Sequence, residues 1–335
     1  MTDTSRKRHW LSFRLRTLII VVTLVGFALV PLVVKLRSAA RQKRAVAWVL
    51  RNGGSVTYDW QSEKKSSRPG SKRLRHLLGD EFFQTVHSAR IPYTHGLSDL
   101  KPLGKLTSLR KLELASPKDT DLSPVRRLTD LQILRLYEVS DLSPLRELTN
   151  LEELVLVGRV SDLSPLTKLT NLQELLLSEA SVCDLSPVKD MTKLRILWLD
   201  SVPVNNVSPL QALRKLEILN LNNTRVTDLS PLKGMTKLEE LHLEDTQVSD
   251  LLPVKGLSSL FVLYLDNTRV RDLSPLRGLA NLEGLYLSGT PVRDLSPLHG
   301  MTKLYQIGLQ RTQVTDEEVK RLQTALPNCD IVLQP

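Results

Sequence analysis

Aliphatic positions recur along most of this chain with a fixed beat. From residue 99 onward the pattern L-x-x-L-x-L returns in every repeat, as at Leu216-Leu219-Leu221, Leu238-Leu241-Leu243 and Leu282-Leu285-Leu287. Its L-x-L part alternates with period two, which predicts a short strand with one buried and one open face. Between strands stands an anchor, Asp-Leu-Ser-Pro-Leu/Val or a near variant, starting at 99, 121, 141, 162, 184, 206, 228, 250, 272 and 294. The intervals are 22, 20 and 21 residues, then seven of 22 up to Asp316. The anchor Asp can accept backbone N–H groups in a turn, and Ser-Pro opens a helix with proline at its first position. Such a period leaves room for about five strand residues and only a turn or two of helix or 3₁₀-helix.

No single coil of this length can bury its own leucines. Stacked about 4.8 Å apart, the strands form one parallel sheet and the leucines one continuous core. A period in the twenties therefore predicts an α/β solenoid, right-handed by the rule for parallel crossovers, over residues 96–315. Open ends need covering. Residues 52–95 are read as an N-terminal cap with strands at 55–60 and 85–91, a short helix at 74–83 and an exposed loop at 61–73. Residues 316–335 are read as a C-terminal cap, a helix over 317–326 with Val319, Leu322 and Leu326 inward, then a strand at Ile331 and Val332.

The N-terminus differs in kind. Residues 17–34 carry no charge and span about 27 Å as a helix, which predicts a transmembrane helix in contact with lipid. Residues 1–16 form a basic tail, and residues 35–51 a basic juxtamembrane helix with Val46, Val49 and Leu50 on one side and Gly53-Gly54 as its stop. A cleaved signal peptide fits less well, because the apolar run exceeds the usual length and Lys35-Leu36-Arg37 precedes the small residues Ser38-Ala39-Ala40. This layout implies a single-pass membrane protein with its repeats on the non-cytoplasmic side.

Charge and chemistry narrow the function. The formal net charge is +10. Residues 1–95 hold 18 Lys+Arg against 5 Asp+Glu, and the remainder 28 against 31. The repeats are slightly acidic, which argues against nucleic acid as a partner. None of the motifs G-x-S-x-G, H-E-x-x-H, G-x-G-x-x-G or G-x-x-x-x-G-K is present, so no enzyme activity, small-molecule substrate, cofactor or metal is expected. Cys183 and Cys329 lie about six rungs apart, too far to pair within the chain.

Ten copies of the anchor and of L-x-x-L-x-L resemble the leucine-rich repeat family. The likeness is strongest to its 22-residue type, found in internalins and in a phosphatase-1 regulatory protein, and covers roughly residues 96–335. The whole layout is similar to that of bacterial membrane-anchored repeat proteins. The resemblance implies a right-handed leucine-rich repeat solenoid whose non-leucine strand positions line a concave binding surface. There the residue inside L-x-L runs through Trp198, Asn220, His242, Tyr264 and Tyr286, and the residue after it through Tyr137, Asp200, Glu244 and Asp266. Four of the six aromatics in the repeats fall in these two columns. Core packing does not require that placement, and Trp and Tyr are frequent interface anchors. These nine residues are the candidate site for a protein or peptide partner bearing a basic patch. The expected function is a non-catalytic protein-binding module, with a membrane-held regulatory subunit of an enzyme such as a phosphatase, or an internalin-like adhesin, as alternatives. The family's ladder Asn is replaced by Thr224, Thr246, Thr268, Thr290 and Thr312, and by Pro117, Val139, Arg159, Ala180 and Val202 in the first five repeats.

Overall fold

The computed structural model describes residues 5–62, 68–93, 99–115 and 120–333. Thirteen strands form one sheet in sequence order: β1 Ser55–Tyr58, β2 Val86–Ile91, β3 Lys111–Ala115, β4 Ile133–Tyr137, β5 Glu153–Val157, β6 Glu174–Ser178, β7 Ile196–Trp198, β8 Ile218–Asn220, β9 Glu240–His242, β10 Val262–Tyr264, β11 Gly284–Tyr286, β12 Gln306–Gly308 and β13 Asp330–Val332. β1 runs antiparallel to β2, and every later pairing is parallel. Equivalent residues face each other rung after rung, so Leu197, Leu219, Leu241, Leu263 and Leu285 form one buried column.

The return stroke of each coil is a single 3₁₀ turn. Its start follows from the anchor: Asp228 Oδ1 accepts the Ser230 backbone N–H at 2.8 Å and Oδ2 accepts the Ser230 hydroxyl at 2.8 Å. The same pair of bonds recurs at Asp121, Asp141, Asp162, Asp184 and Asp272. Asn206 replaces one Asp and still accepts the Ser208 N–H at 2.9 Å. These bonds hold the carboxyls of Asp121, Asp162, Asp184, Asp228, Asp272 and Asp294 below their ordinary range.

The substituted ladder keeps half of its bonding. The hydroxyls of Thr224, Thr246, Thr268, Thr290 and Thr312 each donate to the leucine carbonyl three residues back, at 2.6–2.8 Å. In the early repeats Val139, Ala180 and Val202 are buried at that position and extend the core instead, while Arg159 is exposed. Pro117 lies outside the described residues. Where two repeats are shortened, the chain closes tightly: a side chain at Gly158 would begin 2.7 Å from the Val139 backbone, and Gly158 has φ 143°.

Both ends are covered. Helix α4, Asp316–Ala325, starts at Thr315, whose hydroxyl accepts the Glu318 N–H. It buries Leu322, and Leu326 and Cys329 pack beneath the last coil. Cys183 is exposed, and both cysteines are free. At the other end β1 and β2 close the sheet. Helix α2, Asp59–Ser62, replaces the end of the expected 55–60 strand and the start of the expected loop, and α3, Lys72–Leu78, with a separate 3₁₀ turn at Asp80–Phe82, stands where one helix was expected. Gly79, at φ 85°, breaks the predicted 74–83 helix in two. Residues 63–67 of the expected loop lie outside the described residues.

The transmembrane expectation for residues 17–34 is overturned. Among the described residues no helix is long and apolar enough to cross a membrane. The charge-free run reaches about 27 Å against a hydrocarbon core of roughly 30 Å, and Arg16 and Lys35 close it on both sides. It is one section of α1, Ser5–Arg51, which runs 47 residues and continues through Pro31. With it fall the single-pass membrane assignment, the lipid contact through residues 17–34 and the non-cytoplasmic placement of the repeats. The C-terminal end of α1 instead joins the cap. Ala45, Val46 and Val49 are buried in the core, Gln42 donates to the Gln84 carbonyl at 2.9 Å, and Leu50 is exposed rather than inward.

Candidate functional site

The open face of the sheet carries the residues that the core does not use. In each repeat the side chain between the two strand leucines points away from the 3₁₀ turns, and parallel register puts these side chains in line. Trp198, Asn220, His242, Tyr264 and Tyr286 occupy one row on β7 to β11. The rings pack on one another. His242 and Tyr264 stack at 4.3 Å between centroids, and Tyr264 and Tyr286 at 4.7 Å with planes only 5° apart. Trp198 and His242 are two strands apart, yet their centroids lie 5.9 Å apart because both lean over Asn220. That closure leaves Asn220 4% exposed, so it forms a floor rather than an outward contact, while Trp198 remains 37% exposed.

Glycine ends the row. Gly308 on β12 is buried beside Tyr286, and an added Cβ would lie 3.4 Å from the Tyr286 ring. The Tyr286 hydroxyl donates to Gln306 Oε1 at 2.6 Å, which fixes this last ring.

A polar row runs alongside. Asn222 ties adjacent repeats together: its Oδ1 accepts the Glu244 N–H at 2.9 Å and its Nδ2 donates to the Glu244 carboxylate. Asp266 accepts the Ser288 N–H at 2.6 Å, and Asn223 donates to Asp200 at 3.1 Å. The next residue turns the chain with positive φ, as at Ser201, Asn223, Asp245, Asn267 and Gly289. Asn, Asp and Gly suit that left-handed position.

Electrostatics follow from crowding on this face. Burial pushes the Glu244 carboxyl above its ordinary value, and Asp266, Asp245 and Asp200 reinforce the shift. Burial also raises Asp266 against the opposing Ser288 hydrogen bonds. His242 is lowered by burial, with Glu240 Oε2, 3.4 Å away, pulling the other way. Tyr264 and Tyr286 are raised, again chiefly by burial.

Eight of the nine candidate residues lie together; Tyr137 does not. It sits in register between Ala115 and Val157, three strands from Trp198. Two residues on the same row were passed over: Val155 and Leu176 line up strand by strand with Trp198 and extend its apolar surface. Ile196 and Ile218, two residues before Trp198 and Asn220, share the face and are half-buried. Their signal lay in the same columns, but aliphatic residues in a leucine-rich chain do not stand out. Elsewhere, a cavity of about 520 Å³ at the leading ends of the strands is lined by polar side chains including Arg110, Glu152 and Lys193. Part of that lining bonds to itself, as Lys193 donates to Asn171 at 2.6 Å and Gln173 to Glu152 at 3.0 Å. Among the described residues no group of three or more His, Cys, Asp or Glu could hold a metal ion.

The stacked sheet, the 3₁₀ return strokes and the open-face row define a leucine-rich repeat protein. The family model for two copies of the leucine-rich repeat matches residues 214–256. An internalin (inlF) from Listeria monocytogenes is 30% identical, with a TM-score of 0.68, over 71% of this chain and 71% of that one. A second internalin from the same organism, internalin C2, is 33% identical with a TM-score of 0.54, over 55% of this chain and 82% of its own. The ectodomain of a plant membrane receptor kinase from Arabidopsis thaliana, in complex with Casparian strip integrity factor 2, shares the fold at 17% identity and a TM-score of 0.58, over 71% of this chain and 34% of that one. No curated protein matches the chain. The chain belongs to the leucine-rich repeat family and is internalin-like.

Proposed function

We propose that this protein is a non-catalytic protein-binding module that docks its partner on the open face of the sheet. The observation that carries the reading is the aromatic row. Four rings on β7, β9, β10 and β11 face away from the core. Core packing has no use for them, whereas large rigid rings held at little entropic cost anchor interfaces. Asp200, Glu244 and Asp266 flank the row and favour a partner that brings basic groups. The sheet supplies the surface ready-made, so binding orders little of this chain. The plant ectodomain in complex with its integrity factor gives a precedent for a partner held by this fold.

Site-directed photo-crosslinking in the native host tests this. A benzophenone amino acid at position 198 or 264 is expected to give discrete protein adducts. The same group at position 252, the exposed first leucine of a 3₁₀ turn, serves as the remote control. Equal labelling from all three positions, or none from 198 and 264, overturns the reading.

A further inference from the structure

We infer that the open face of β7 to β11 seats an amphipathic α-helix of a partner protein. It lies across the strands, with its apolar stripe on the rings and basic residues on both flanks. The inference rests on the open face being the docking surface and adds the form of the guest.

The first argument is charge on two edges. The trailing edge of the face carries Asp200, Glu244, Asp245 and Asp266, and the leading edge carries Glu217, Glu239, Glu240 and Glu283; none of them is buried. Arg195 answers Glu217 at 2.6 Å, and Arg311 of the next coil acts on Asp266. Asp200, Glu239, Glu244, Asp245 and Glu283 make no ion pair among the described residues. Both edges reach the same ring, since burial, then Tyr286, Glu240 and Glu244, raise the Tyr264 phenol. The acidic excess frames the rings from two sides, so a complementary guest carries cations on both of its own sides.

The second argument is the floor between the edges. Ile196, Ile218 and Val262, each half-buried, lie beside the rings, and Val155 and Leu176 continue the strip. From β5 to β11 it crosses six rungs, about 29 Å, the length of a helix of roughly 19 residues. Glu240 and Glu244 stand four residues apart on one rung, about 13 Å. A helix with its side chains is about 10–12 Å across and fits between them.

The third argument is the guest's backbone. Strands β7 to β11 are each paired on both sides, so this face offers an extended segment no free ladder of N–H and C=O groups. A helix satisfies its own backbone and can lie on an apolar floor. An extended segment also puts alternate side chains on opposite faces. With its apolar residues on the floor, its basic residues point to solvent. A helix instead turns polar residues to both flanks of an apolar stripe, toward the two acidic edges.

The experiment uses the full chain and three fluorescein-labelled peptides of equal length, followed by anisotropy. The first repeats Leu-Lys-Lys-Leu-Leu-Lys-Leu twice and is amphipathic as a helix. The second, (Leu-Lys)6-Leu-Leu, has the same composition but alternates as a strand. The third is the first with Glu in place of Lys. The first is expected to bind at least about tenfold more tightly than either of the others, and Trp198→Ala to remove at least about tenfold of its affinity. Glu239→Gln with Glu283→Gln neutralises part of the leading edge, and Asp200→Asn with Asp245→Asn part of the trailing edge, without touching the core. Each pair is expected to weaken the first peptide by roughly two- to tenfold at low salt. Equal affinity for the first two peptides, or an affinity that ignores Trp198→Ala or either edge pair, overturns the inference. Protein adducts from positions 198 and 264 without binding of the first peptide would leave the docking surface standing and end this account of its guest.

Discussion

The imidazole of His242 lies against the ring of Tyr264, with centroids 4.3 Å apart and planes 14° apart. Such pairs contribute about 0.5–1.5 kcal/mol beyond buried area. A double-mutant cycle with His242→Ala and Tyr264→Ala, read by urea denaturation, is expected to return a coupling in about that range. His242 is lowered by burial, so the unfolded chain binds more protons near pH 6 and stability falls as pH drops through the ordinary histidine range. His242→Phe keeps a stacking ring and is expected to reduce that fall between pH 7 and pH 5.

Glu244 shows the opposite sign. Its carboxyl is raised by burial and by Asp266, Asp245 and Asp200, so the ionised form is a burden on the folded state. Stability from this group grows as pH falls below its folded value and is absent at neutral pH. Glu244→Gln keeps an oxygen acceptor for the Asn222 side chain and removes the charge. It is expected to melt at a higher temperature than the parent chain at pH 7, and the difference should vanish below about pH 4, where both side chains are neutral.

The anchor aspartates govern acid stability. Asp121, Asp162, Asp184, Asp228, Asp272 and Asp294 are all held low by Ser N–H and hydroxyl donors. A depressed acid stabilises the fold above its unfolded value, and this is lost as pH falls through the folded value. Melting temperature is therefore expected to drop progressively below about pH 4. Replacing these six residues by Asn, which already serves at position 206, should flatten that limb. An unchanged limb would contradict the assignment.

Thr246 is fully buried, and its hydroxyl donates to the Leu243 carbonyl at 2.6 Å. Thr246→Val keeps the shape and removes the donor. The expected cost is about 1–2 kcal/mol by chemical denaturation, the usual penalty for an interior bond lost from one side. Thr312→Val, at a partly buried site near the end of the array, should cost less.

Reading the chain one residue at a time recovers the rung but not the helix at its start. Leu241, Asp228 and Thr246 each do what their place in the repeat implies, because the same bonds recur at every coil. Residues 17–34 show the limit: an apolar run suggests a membrane, yet its length and charged flanks belong to a longer helix whose far end is buried against the cap. Periodicity gives no such warning where nothing repeats. The helix expected over 74–83 shows a related limit, since Gly79 divides a segment that propensity alone would continue.

At the candidate site the division is finer. Which residues face outward, and that aromatics gather among them, was legible from two columns spaced 22 residues apart. That Asn220 is covered depended on Trp198 and His242 leaning together across strands. The amino-acid sequence by itself determined the stack, because leucines at fixed intervals can leave water only by piling coil on coil. Tertiary structure alone decided which rings touch and how far the first helix serves the cap, since both are set by contacts between residues that no local pattern connects.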